Sequence, residues 1–165
     1  MKTPVFGFVG YSGAGKTTLA TAVTEILVCR GMRVAVLKDA HHHVDMDTPG
    51  KDTWRYRQSG AAQVMLRTPE RWILQTETPQ RVDIEAVLNR FEGVDLILVE
   101  GFKNEGNFPK IEVLRKDQPK QAAPLYVGCP DIVAVATDRV DLSDAPVCLD
   151  VNDAEAVANF IVAFL

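Results

Sequence analysis

Long apolar runs are missing from this chain of 165 residues; none approaches the ~20 that a membrane span requires. A basic segment followed by an apolar one, the mark of a secretory leader, is also missing, because a β-rich run starts within the first few residues. The expectation is therefore a cytoplasmic protein with no membrane partner. Cysteine is scarce, and Cys29, Cys129 and Cys148 show no CxxC spacing. Scattered thiols in odd number suit a reducing compartment and are expected as small buried hydrophobes. Positive charge is not in excess: 18 Lys and Arg stand against 22 Asp and Glu, a net charge of −4. That gives no reason to expect nucleic acid binding by a basic face. Internal repeats are absent. What remains is an ordinary globular composition, 47% hydrophobic and 24% charged. The length suits one domain over residues 1–165 with a substantial core.

The most informative segment is Gly10-Tyr-Ser-Gly-Ala-Gly-Lys-Thr-Thr18, placed directly after the apolar run Val5-Phe-Gly-Phe-Val9. This is the phosphate-binding loop, GxxxxGK[ST]. Gly10, Gly13 and Gly15 let the backbone curl, with Ser12 and Ala14 between them, so that several N–H groups point at one phosphate chain. Lys16 reaches the β- and γ-phosphates, the Thr17 hydroxyl is a ligand for Mg²⁺, and Thr18 continues the cradle into a helix whose positive end adds to it. The context fits: a strand precedes the loop, and Leu19, Val23, Ile26 and Leu27 share one face of a helix that Gly31 stops.

Strand and helix patterns then alternate. Strands are expected at residues 5–9, 33–37, 95–100, 111–114, 132–136 and, more weakly, 147–149. Helices are expected at 16–30, 52–59 and 83–91, with a last one capped by Asn152 or Asp153. Residues 63–67 and 71–76, around Thr68-Pro69-Glu70, read as a hairpin. The chain is thus expected to be an α/β protein: a three-layer P-loop NTPase fold with a mostly parallel central sheet plus an additional β-hairpin at 63–76.

A P-loop needs a carboxylate for its metal, at the end of a neighbouring buried strand. Glu100 ends the continuous apolar run Leu96-Ile-Leu-Val99, the pattern of a strand buried on both faces, and Gly101 follows. It reads as the Mg²⁺-linked and catalytic partner of Lys16, against the plainer reading of a solvated strand-end acid. Asp95, at the other end of that strand, is a poor metal candidate. Asp39, just past the second strand, is either metal-linked or water-positioning, or a turn residue. His41-His42-His43 cannot all face one metal; they read as contacts to phosphate or to an acidic ligand or partner, as loop residues, or, least favoured, as part of a metal site. No residue stands out as a strong water activator, and no arginine finger is identifiable.

With these residues the chain resembles the molybdopterin-guanine dinucleotide biosynthesis adapter proteins. The likeness is carried by the P-loop, by Lys38 with His41-His42, Asp45, Asp47 and Pro49-Gly-Lys51-Asp52, by Gly60-Ala-Ala-Gln63, by Arg71-Trp72 and Thr76-Glu-Thr-Pro79, and by Asp95-Leu-Ile-Leu-Val-Glu-Gly-Phe-Lys103. One departure stands out: Lys38-Asp39-Ala40-His41-His42 replaces the usual Lys-His-Thr-His-His. The resemblance implies a GTP-binding protein with Mg²⁺ and weak hydrolysis. It implies service to the guanylyltransferase that joins GMP to molybdopterin, molybdopterin being reached through that partner. It also implies a homodimer built partly by strands outside the nucleotide core, for which the 63–76 hairpin is the candidate. Asp39, His41, His42, Lys51 and Lys103 become candidate contacts to phosphate or partner. Asp138, at a late strand end, is the candidate acceptor for guanine N1–H and the exocyclic amine, with a plain loop Asp as the alternative. The competing functions are a small-molecule P-loop kinase, with arginines from Arg67, Arg71, Arg81 or Arg90, and a metallochaperone GTPase using the His segment and Cys129.

Overall fold

The computed structural model describes residues 2–40, 44–117 and 123–165. The chain forms β1 (Val5–Val9), α1 (Lys16–Cys29), β2 (Val34–Lys38), α2 (Asp52–Gln58), β3 (Gln63–Arg67), β4 (Trp72–Thr76), α3 (Ile84–Leu88), β5 (Leu96–Glu100), β6 (Lys110–Leu114), β7 (Ile132–Thr137), β8 (Val147–Asp150) and α4 (Ala154–Phe164), with a 3-10 turn at Leu125–Val127 before β7. Two compact units result. One takes residues up to Asp39 together with Val87–Leu165; the other is Ala40–Ala86.

The first unit holds a six-stranded sheet in the order β2-β5-β1-β6-β7-β8, every pair parallel. Continuous apolar runs supply the strands; β5 is buried at all five positions, as a strand covered on both faces must be. Register brings Glu100 opposite Phe8 on one side and opposite Lys38 on the other. Three strand ends therefore finish level where the P-loop begins. Helix α1 turns Leu19, Ala20, Val23 and Leu27 inward, and α4 turns in Val157, Ala158 and Ile161. These join Phe6, Phe8, Leu98 and Ile111 in one core. Helix α1 closes with a Schellman pair, Gly31 N–H to Val28 O at 2.9 Å and Met32 N–H to Leu27 O at 3.1 Å. Asp153 caps α4 by accepting from Ala156 N–H at 2.9 Å.

The second unit carries the antiparallel β3–β4 hairpin, Gln63 opposite Thr76 and Arg67 opposite Trp72. The α/β fold, the parallel sheet and the separate hairpin are as the sequence predicts.

Two expectations change. The helix expected over 83–91 stops at Leu88, because Arg90 and Phe91 donate three residues back, to Val87 and Leu88, and tighten its end into turns. Cys29 and Cys148 are exposed and Cys129 partly so, against the expectation of burial. Cys29 lies off the inward stripe of α1, and Cys148 sits in the edge strand β8, most of which is exposed. No helix among the described residues is long and apolar enough to cross a membrane.

Candidate nucleotide-binding site

The loop between β1 and α1 is shaped by a backbone that side chains would block. Gly10 has φ 146°, and a Cβ there would lie 2.6 Å from the Val113 carbonyl oxygen, so only glycine fits. Ala14 is fully buried and its N–H donates to Tyr11 O at 3.2 Å. Lys16 folds over the loop and donates to the carbonyls of Gly10 at 3.0 Å and Tyr11 at 2.8 Å. Burial pulls the Lys16 ammonium below its ordinary pKa; Glu100 opposes that, while Lys103 and Lys38 add to it by repulsion. A lysine that feels two other lysines and one carboxylate suits a polyanion.

Thr17 and Glu100 meet. The Thr17 hydroxyl donates to Glu100 Oε1 at 2.7 Å. The Lys38 ammonium lies 3.2 Å from the same carboxylate oxygen and 3.3 Å from Thr17 Oγ1. A cation thus already rests against this oxygen pair, and hydroxyl plus carboxylate is the donor set a hard ion such as Mg²⁺ takes. Beyond Glu100 the chain is forced to turn sharply. Gly101 has φ 103°, and a Cβ there would come within 3.0 Å of Asp39 Cβ. Phe102, buried, sits at φ 55°, a costly conformation for a bulky residue and of the kind found at functional sites. Asp39 donates its N–H to Glu100 O at 2.9 Å, which ties the end of β2 to the same turn. Lys103 stands over the Tyr11 ring at 5.3 Å, and the Tyr11 hydroxyl donates to Ala123 O at 2.9 Å.

On the other side of the loop, Asp138 accepts from Lys116 N–H at 2.7 Å and from the Arg115 guanidinium at 3.4 Å. These bonds hold its carboxyl below the usual range, the Lys116 N–H contributing most. Asp95, at the opposite end of β5, is bound to Arg33 through the backbone N–H at 2.8 Å and the guanidinium at 2.8 Å, away from the phosphate end.

The structure therefore brings Gly10, Ser12, Gly13, Ala14, Gly15, Lys16, Thr17 and Thr18 together with Glu100, Asp39 and Lys103 around one loop, with Asp138 anchored through Arg115. Lys51 belongs to the other unit, at the N-cap of α2. His41 and His42 lie outside the described residues. Two further cations stand beside the loop without a local sequence signal: Lys38, facing Glu100 by strand register, and Arg115, the first residue past β6. Both stand at the carboxyl ends of parallel strands, where open α/β sheets bind ligands, and that position was the available signal.

The family described as molybdopterin guanine dinucleotide synthesis protein B (MobB) matches residues 5–138. The molybdopterin-guanine dinucleotide biosynthesis adapter protein of Haemophilus influenzae is 40% identical over 164 residues, 98% of this chain and 89% of that one. The protein of the same name from Escherichia coli is 39% identical over 166 residues, 98% of this chain and 93% of that one. The crystal structure of a molybdopterin-guanine biosynthesis protein B is similar at TM-score 0.76 and 28% identity, covering 98% of this chain and 99% of that one. The Bacillus subtilis MobB structure, 22% identical with TM-score 0.72 and covering 98% of each chain, shares the fold. With the P-loop, the Glu100 strand and Asp138 bounded by one family match, and relatives aligned nearly end to end, the chain belongs to the MobB family of molybdopterin-guanine dinucleotide biosynthesis adapter proteins.

Proposed function

We propose that this protein is a GTP-holding adapter that binds Mg²⁺-GTP at the P-loop and assists the guanylyltransferase that joins GMP to molybdopterin. The observation that carries the nucleotide reading is the Thr17–Glu100 contact at 2.7 Å, at the mouth of a loop that Lys16 caps. Mg²⁺, held by Thr17 and Glu100, would supply charge to the β- and γ-phosphates. The rest falls to the chain's own groups: loop N–H donors orient the phosphates, and Lys16 and Lys103 offset their charge. Asp39, tied by its N–H to the turn at Glu100, is assigned to orienting a water or supporting the metal. Slow hydrolysis and an accessory rather than stand-alone role go with this reading. Molybdopterin is reached through the partner. His41, His42 and Lys51 serve contacts to phosphate or partner, in a cytoplasmic homodimer.

The dimer proposal rests on the hairpin, where Met65, Trp72 and Leu74 share one exposed face. Such a face, with open strand edges, suits a second copy.

Calorimetric titration of GTP and ATP, each with and without Mg²⁺, tests the nucleotide reading. GTP is expected to bind more tightly than ATP and to depend on Mg²⁺; tighter ATP binding rejects it. Pull-down from cytosol with and without GTP is expected to retain a nucleotidyltransferase.

A further inference from the structure

On the flank of the P-loop away from Glu100 stands a guanidinium of which only one part is engaged. Arg115 Nη1 donates to Asn152 Oδ1 at 2.9 Å and to Asp138 Oδ2 at 3.4 Å. Asp138 is itself pinned by the Lys116 N–H at 2.7 Å, so the guanidinium hangs from a fixed point. Its other edge, Nε with Nη2, meets no hydrogen-bond acceptor among the described residues. That edge turns to the loop: a carbon built on Gly15 would lie 3.9 Å from Nε and 4.0 Å from Nη2. Nε–H and Nη2–H form the planar fork that takes two phosphate oxygens at once. Gly15 immediately precedes Lys16, in the part of the loop whose N–H groups cradle phosphate.

We propose that Arg115 is a nucleotide-binding residue whose Nε–Nη2 edge holds the α-phosphate, with Asp138 and Asn152 as its positioning residues. This rests on the nucleotide reading above. The α-phosphate follows from the sheet order β5-β1-β6. Thr17 and Glu100, where a metal bridging β- and γ-oxygens belongs, lie on the β5 side of β1. Arg115 ends β6 on the opposite side, so the phosphate chain crosses the loop with its α end towards Arg115. Asp138 then acts through Arg115, for any base the nucleotide carries. The guanine-acceptor role expected of Asp138 from sequence would act on the base alone, and the two roles give different results.

The test uses the full chain and measures Kd for GTP, GDP and ATP, with melting temperature as the folding control. Arg115→Ala is expected to weaken GTP and GDP by the same factor, roughly 10- to 100-fold, the worth of charged hydrogen bonds. Its ratio of GTP to ATP affinity should stay within about twofold of wild type. Arg115→Lys, which keeps the charge and loses the fork, should fall between the two and covers the case of a poorly folded alanine variant. Asp138→Asn should give a smaller loss, shared by all three nucleotides.

Unchanged affinities in Arg115→Ala and Arg115→Lys would overturn the inference while leaving the P-loop reading intact. A loss confined to GTP, with GDP unaffected, would move Arg115 to the γ-phosphate and overturn the assignment to α. Collapse of GTP selectivity in Asp138→Asn would make Asp138 a base reader and overturn its positioning role. Failure of the wild-type protein to bind any of the three would overturn the P-loop reading, and this inference with it.

Discussion

Strand β5 and the β3–β4 hairpin are built from similar residues and end in opposite environments. Leu96-Ile-Leu-Val-Glu100 is buried at every position. Gln63-Val-Met-Leu-Arg67 and Trp72-Ile-Leu-Gln-Thr76 are buried at none. Apolar content does not separate them. Neighbours do: β5 lies between β1 and β2 inside a six-stranded sheet, while β3 and β4 have only each other. A two-stranded sheet cannot cover both its faces and is marginal alone, so its apolar side chains stay available to something else. The difference also divides the chemistry. The buried sheet ends at the P-loop, beside Glu100 and Lys38. In the hairpin's unit, charge is spent internally: Arg57 pairs with Asp45 at 2.7 Å, Asp47 at 2.8 Å and Glu77 at 2.9 Å.

The largest expected effect comes from breaking the buried side. Leu98→Ala should destabilise the protein by about 2–5 kcal/mol in chemical denaturation, as cavities in packed cores do. A loss no greater than that of an exposed residue would mean β5 is not the core strand it is taken to be. Next, Lys16→Ala should weaken GTP binding by about 100-fold, roughly two charged hydrogen bonds, with the nucleotide-free protein still folded. Unaltered GTP affinity would place the phosphate site elsewhere.

The hairpin should behave in the reverse way. Leu74→Ala should cost only about 0.5 kcal/mol of unfolding free energy at low protein concentration, as exposed positions do. Light scattering should nevertheless show a weaker dimer, and removal of residues 63–76 should yield monomers. A dimer that persists after that removal would move the interface to another face. The smallest effect concerns pH. Glu112 is buried in β6; burial pushes its carboxyl up from the usual value of 4.5, partly offset by the N–H groups of Leu125 and Tyr126, which donate at 2.9 and 3.0 Å. A raised pKa in the folded state means its contribution to stability is present below the ordinary glutamate range and lost as pH rises through the folded value. Wild type should therefore lose stability relative to Glu112→Gln over that rise. Parallel pH curves for the two proteins would show that the two N–H bonds cancel the burial.

Legibility from sequence followed the range of the interaction. The loop Gly10–Thr18 reads directly, because phosphate cradling depends on backbone shape over nine consecutive residues. The Glu100 strand reads as well, because a short run of four apolar residues closed by an acid and a glycine suits a strand buried on both faces. Helix α3 is shorter than its amphipathic stripe over 83–91, because the stripe does not reveal that the last turn tightens. Residue type alone puts Cys29 inside, whereas its place on the helix turns it outside. Lys38 was visible only as part of a family segment, and Arg115 not at all. Neither lies near the P-loop in sequence.

The amino-acid sequence by itself determined the phosphate loop, the alternation that yields a parallel sheet, the separate hairpin and the family resemblance. All of these are written in short-range patterns of glycine, charge and hydrophobic period. Only the tertiary structure decided which charged groups stand around the loop. Lys38 meets Glu100, and Arg115 faces Gly15, because hydrogen-bond register between strands far apart in the chain sets which strand ends finish side by side. No local pattern records that register.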